Sequence, residues 1–251
     1  MDVAKVFPFR RKLAQPPRVR LLCLPFAGGA ASQYRSWPAR LAPAIDVCPI
    51  ELPGRGLRQH EPPVADIDLL CEQLASAAAP LATDVPLALF GHSMGARIAF
   101  ELARCLGERV VHLFAAGSPP PGLRSEYPGN DSRPTEQLTD AELKQRLRDL
   151  GGTPLELLDD DDLMLRALPI VRADLVLIER YQVDPHARVA CPITVLAGTQ
   201  DTDGSPAIAA GWQLRTTAAF RMVELDAGHF FLDSHRTDVL REIEHALAPP
   251  V

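Results

Sequence analysis

Six short runs of the chain are nearly continuous in apolar residues: Val19–Leu24, Asp46–Glu51, Pro86–Phe90, Val110–Ala116, Ile193–Ala197 and Phe220–Leu225. Runs of this kind suit strands that are covered on both faces of a sheet. Helical spacing fills the intervals. Ile67, Leu70, Leu74 and Ala78 recur behind Asp66, a good N-cap residue, and Ile98, Leu102 and Leu106 recur ahead of Gly107, a good helix stop. Strand then helix, repeated, predicts an α/β fold with a mostly parallel central sheet flanked by helices. No internal repeat or linker interrupts the pattern, so one domain is expected over residues 1–251.

The rhythm breaks once. From Ser118 to Pro134 the chain is dense in Pro, Gly and Ser, and two helical patterns follow before the next strand. The first opens at Thr139-Asp140 and carries Leu143, Leu147 and Leu150. The second begins near Asp159–Asp162 and carries Met164, Leu168, Val171, Leu175 and Ile178. The four aspartates suit a helix N-terminus, where carboxylates meet the positive end of the dipole. No EF-hand pattern surrounds them, which argues against calcium. An insertion between two strands, about 118–186, is expected to form a helical lid over a site.

Composition narrows the function. The 26 Lys and Arg against 32 Asp and Glu give a net charge of −6 without a basic stripe, unlike a protein that lives on nucleic-acid phosphates. No apolar run is long enough to span a bilayer. Cys23, Cys48, Cys71, Cys105 and Cys191 are widely spaced and lack a C-x-x-C pair, so they read as buried thiols in a reducing cytoplasm. The basic stretch before Leu21-Leu22-Cys23-Leu24 faintly resembles a secretory signal. Its apolar run is too short, and Pro25, Gly28 and Gly29 break it.

Gly91-His92-Ser93-Met94-Gly95 follows an expected strand and opens an expected helix. This is the context of a nucleophile elbow, in which the glycines allow a tight turn that lifts the serine hydroxyl above the sheet. The serine needs a base. Among the seven histidines, His229 stands just after the last strand and beside Gly228, at the end of the sheet where α/β sites form. An acid must orient the imidazole. Asp201, in Gly198-Thr199-Gln200-Asp201 after the fifth strand, fits that role, and Asp203 remains a geometric substitute. The order Ser93, Asp201, His229 is that of α/β-hydrolases. An oxyanion would be held by the backbone N–H groups of Met94 and of Ala27, the latter in Pro25-Phe26-Ala27-Gly28-Gly29. A phosphate loop is the rival reading there, but neither G-x-x-x-x-G-K-[ST] nor G-x-G-x-x-G is present. Activity resting on an imidazole of ordinary pKa fades below about pH 6–6.5.

From about Arg18 to Leu247 the chain resembles the type II, or editing, thioesterases of polyketide and nonribosomal peptide synthesis. The resemblance rests on Leu24–Gly29 with Tyr34 and Trp37, Leu52-Pro53-Gly54-Arg55-Gly56 with Glu61-Pro62, and the Gly91–Gly95 elbow. Leu168–Tyr181 as a lid helix, Gly198–Asp201 and Gly228–Leu232 complete it. It implies an α/β-hydrolase fold and hydrolysis of acyl groups from the phosphopantetheine arm of an acyl or peptidyl carrier protein. It also implies the triad Ser93, Asp201 and His229, with no metal or diffusible cofactor. Phe26, Met164, Leu168, Val171 and Phe230 are expected near the acyl chain. The lid residues have an equally good alternative in simple packing. Arg55, Arg58 and Arg97 are weighed as contacts for an acidic carrier against ordinary solvated charges. A cytoplasmic monomer, without nucleic-acid or membrane partners, is expected. The rival functions are a fatty acyl chain-terminating thioesterase, a generic carboxylesterase and a catalytically inert binding module.

Overall fold

A computed structural model describes residues 2–11, 13–123, 133–150 and 155–249, with the side chains of Leu155 and Leu157 excepted. Six parallel strands form one sheet: β1 (Val19–Leu24), β2 (Ile45–Pro49), β3 (Leu87–His92), β4 (Val110–Ala116), β5 (Ile193–Gly198) and β6 (Phe220–Leu225), in the order β2-β1-β3-β4-β5-β6. The longer helices are α1 (Ile67–Ala78), α2 (Met94–Leu106), α3 (Asp140–Leu150), α4 (Asp161–Arg180) and α5 (Arg236–Ala246). All six strands lie where the apolar runs place them. The differences are at the ends: β2 is Ile45–Pro49 rather than Asp46–Glu51, and β3 runs on to His92, paired with Ala116.

Both faces of the sheet are covered, which is why the strands read as apolar runs. Leu22 and Leu24 of β1 join Leu87 and Leu89 of β3 in a layer under α1 and α2. Leu21 and Cys23 point the other way, into a layer with Phe90, Phe114, Trp37 and Val239, Leu240 and Ile243 of α5. Cys23, Cys48, Cys71 and Cys191 are buried as expected, but Cys105 lies on the exposed face of α2, one position before Leu106 of the apolar stripe.

The helix caps match their sequence signals. Asp66 accepts from Leu69 N–H at 3.0 Å to open α1. Thr139 and Glu142 form a reciprocal capping box at α3, with Glu142 N–H to Thr139 Oγ1 at 3.3 Å and Thr139 N–H to Glu142 Oε2 at 2.7 Å. The acidic run does the work of a helix start: Asp160 accepts from Leu163 N–H, while Asp159 and Asp161 pair with Arg148 and Lys144. Helix α4 continues through Pro169. The ring removes the N–H that would bond the Leu165 carbonyl, and both residues lie on the exposed face, open to solvent. Among the described residues no helix is long and apolar enough to cross a membrane.

Helices α3 and α4 are the insertion between β4 and β5. The Pro- and Gly-rich reading of Ser118–Pro134 falls in large part on residues 124–132, which lie outside the described residues. The strand order reverses between β1 and β3, because β2 lies outside β1 and the chain then crosses back. Ligand crevices form outside the carboxyl ends of strands at such a switch point.

Candidate active site

The switch point sets two loops side by side: Pro25–Gly29 after β1, and Ser93 after β3. Ser93 adopts φ 55°, ψ −117°, the sole positive φ of a non-glycine residue among those described. Such a conformation is strained by roughly 1–3 kcal/mol and persists only where the surroundings enforce it. They do. Ser93 N–H donates to Ala116 O at 2.8 Å, Ala96 N–H donates to Ser93 O at 3.0 Å, and the flanking positions admit no side chain. A Cβ on Gly91 would lie 2.1 Å from Gly95 O, and one on Gly95 would lie 2.3 Å from Leu24 O. Met94 is the first residue of α2, so its N–H has no partner within the helix and sits at the positive end of the dipole.

The loops after β5 and β6 meet at the same end of the sheet. Thr199 N–H donates to Leu225 O and Gln200 N–H to Ala227 O, extending the pairing beyond the strands. This brings Asp201 Oδ2 to 2.9 Å from His229 Nδ1. Asp201 is 3% exposed. Burial alone would raise its pKa. The hydrogen bond and charge of His229, with the N–H groups of Gly204 and Asp203 on Oδ1 at 3.0 and 2.9 Å, outweigh it and hold the carboxyl below its ordinary value. Asp203 thus serves Asp201 through its backbone, and it is the Asp201 carboxylate that lies on His229.

His92, the residue before Ser93, is fully buried, and its Nε2 lies 2.8 Å from the His229 carbonyl oxygen. Phe26 packs edge-on against His92 and Phe230, with ring centroids 5.7 and 5.2 Å apart, and Phe230 lies 4.8 Å from the His229 ring. Phe26 is half-buried and Phe230 is exposed. Met164, Leu168 and Val171 sit in a buried cluster with Leu138, Leu143, Leu147 and Leu158, against which Ala27 packs.

The three arginines weighed as surface contacts are not on the surface. Arg58 is 1% exposed, bonds the Glu51 carbonyl and pairs with Glu61. Arg97 is buried and donates to Leu123 O. Arg55 is buried and forms a two-bond fork with Asp174 of α4. Sequence alone left Asp174 and the His92 contact unnoticed. Asp174 had a signal: it lies beside Val171 and Leu175 on the apolar stripe, where a carboxylate demands a partner.

An elbow serine after β3, an acid after β5 and a histidine after β6 of a parallel sheet define an α/β-hydrolase. A thioesterase domain profile matches residues 19–247, and the chain belongs to that family. It is 38% identical over 243 residues to linear gramicidin dehydrogenase LgrE of Brevibacillus parabrevis, spanning 94% of this chain and 90% of that protein. The loop after β1 here lacks the G-x-G-x-x-G fingerprint of dinucleotide sites, so the chemistry in that name is not carried over. Among solved structures, the RedJ thioesterase of prodiginine biosynthesis in Streptomyces coelicolor superposes with TM-score 0.82 at 35% identity, covering 97% of this chain and 93% of that one. The type II thioesterase BorB of the borrelidin cluster does so with TM-score 0.82 at 36% identity, covering 95% and 96%.

Proposed function

We propose that this thioesterase removes stalled or aberrant acyl groups from the phosphopantetheine arm of an acyl or peptidyl carrier protein during polyketide or nonribosomal peptide assembly. One observation carries the chemistry: a histidine bonded to a buried carboxylate, joined through the backbone to the residue before a strained serine. The relatives RedJ, a thioesterase from the prodiginine biosynthetic pathway, and BorB, a type II thioesterase from the borrelidin biosynthetic cluster, support the substrate class.

Ser93 Oγ attacks the thioester carbonyl while His229 Nε2 takes its proton. Asp201 fixes the tautomer and stabilises the imidazolium. The N–H groups of Ala27 and Met94 hold the oxyanion, an arrangement in which one donor contributes about 2.7–4 kcal/mol to lowering the barrier. The pantetheine thiol leaves with the proton from His229. Water, deprotonated by the same ring, then releases the acid from the acyl-serine. Phe26 and Phe230 flank the acyl group, and the insertion helices bearing Met164, Leu168 and Val171 shape the far side as a lid. The protein works in the cytoplasm as a monomer.

Mass spectrometry of a loaded carrier protein, before and after exposure to the chain, tests this reading. Loss of the acyl mass, faster than hydrolysis of acyl-CoA or p-nitrophenyl esters, is expected. Preference for acyl-CoA or simple esters would instead indicate a fatty acyl thioesterase or general esterase. A protein inert toward all three and toward a fluorophosphonate would be a binding module.

A further inference from the structure

Asp174 stands in the middle of α4 and is 3% exposed. A carboxylate so placed is tolerated only when its oxygens are paired. Here both are. Arg55 Nη2 donates to Oδ1 at 2.7 Å, Arg55 Nη1 to Oδ2 at 2.8 Å, and Gly28 N–H to Oδ2 at 2.7 Å. Arg55 Nη1 also donates to the Gly29 carbonyl at 2.8 Å. One ion pair therefore ties together the loop after β1, the loop after β2 and the long helix of the insertion.

The segment so held includes Ala27. Gly29 N–H donates to Phe26 O at 2.8 Å, closing a tight turn over Phe26–Gly29. The Phe26–Ala27 peptide is planar and trans, so the Ala27 N–H points opposite to that carbonyl, out of the turn. Gly28, at φ 79°, lies so close under α4 that a Cβ would approach Val171 Cγ2 to 2.8 Å. The direction of the Ala27 N–H thus depends on Gly28 and Gly29, and both are held by Asp174 and Arg55.

We propose that Arg55 and Asp174 are positioning residues for the oxyanion site: they fix the loop that aims the Ala27 N–H at the tetrahedral intermediate, and they do so from the helix of the insertion. This rests on the serine mechanism above. A fixed donor matters most when charge develops on the oxygen, so its loss lowers kcat and leaves ground-state binding little changed. Displacement of reacting groups by about 1 Å costs on the order of 100-fold in rate.

The test uses Asp174→Asn, which keeps the shape, and the double variant Arg55→Met/Asp174→Leu, which leaves no lone buried charge and so protects folding. Both are assayed on an acyl-pantetheine thioester and with a trifluoromethyl ketone of matching acyl chain, which forms an oxyanion on Ser93. For variants with a native circular dichroism spectrum, kcat falls by 10-fold or more and KM stays within threefold. The ketone weakens in parallel with kcat. A folded double variant with kcat within twofold of the parent, or one whose loss lies in KM alone, overturns the proposal. Ser93→Ala runs alongside. If that variant keeps turning over, the serine reading itself fails. If it is inactive while the clamp variants are unaffected, only the positioning role falls.

Discussion

His92 Nε2 lies 2.8 Å from the main-chain oxygen of His229. A carbonyl only accepts, so Nε2 carries the proton and Nδ1 is the bare nitrogen. Among buried described atoms, Nδ1 has no partner. Protonating it would create a buried charge with nothing to accept it, which is why burial, reinforced by the neighbouring His229, pulls the His92 pKa down to about 3. The bond braces the turn that presents His229. His92→Phe keeps a similar ring but cannot donate, leaving a carbonyl unpaired. It should destabilise the fold by about 1–3 kcal/mol, read by urea unfolding at pH 7. Unchanged stability would show that the contact braces nothing.

Two buried histidines make the fold acid-sensitive. His112, stacked on Phe114 and bonded to Thr194, is pushed down by burial to about 4. In the unfolded chain both rings take up a proton near pH 6.5, and in the folded chain they do not. The unfolded state therefore binds up to two more protons, and stability falls as pH drops from about 6.5 toward 4. The slope attributable to the pair approaches 2.7 kcal/mol per pH unit, at about 1.36 for each proton. Urea midpoints measured between pH 7 and 4.5 should show it, and His112→Gln should remove about half of the slope. An unaltered slope in that variant would contradict the assignment.

Asp201 and Asp203 separate cleanly by substitution. Asp201 bonds the His229 ring, whereas Asp203 offers Asp201 its N–H. Asp201→Asn should lower kcat by roughly 10³–10⁴, the scale on which a triad acid acts through the tautomer of its histidine. Asp203→Asn should leave kcat within a few-fold. The reverse ranking in steady-state assays would give the role to Asp203.

The elbow tolerates no methyl group at its second glycine. At Gly95 a Cβ would lie 2.3 Å from Leu24 O, which belongs to the sheet and cannot yield. Gly95→Ala should cost about 3 kcal/mol or more and lower Tm by roughly 6–12 °C. A thermal scan showing less than a 2 °C shift would mean that the turn can open to admit the methyl group.

Much of this was legible in the chain because buried parallel strands announce themselves as apolar runs, and because a nucleophile elbow needs its glycines at fixed positions. Ser93, Asp201 and His229 each follow such a strand, so their shared end of the sheet could be read from order alone. What stayed hidden depends on pairing across distance. Arg55 and Asp174 are 119 positions apart, and an arginine in a Gly-rich loop looks the same whether it meets water or a buried carboxylate. Arg58 and Arg97 misled for the same reason. Cys105 differs from a buried thiol only by one step around a helix. Met164, Leu168 and Val171 repeat at helical spacing in either case, and only the fold places them in the packed cluster of the insertion.

In the serine mechanism an acyl group passes through the Ser93 oxygen. Rapid quenching of the protein with an acyl-pantetheine thioester, followed by intact mass and peptide mapping, measures this directly. A transient adduct of the acyl mass is expected on the peptide containing Ser93, absent together with turnover in Ser93→Ala. Hydrolysis that continues in Ser93→Ala, or an adduct mapped to another residue, would contradict it.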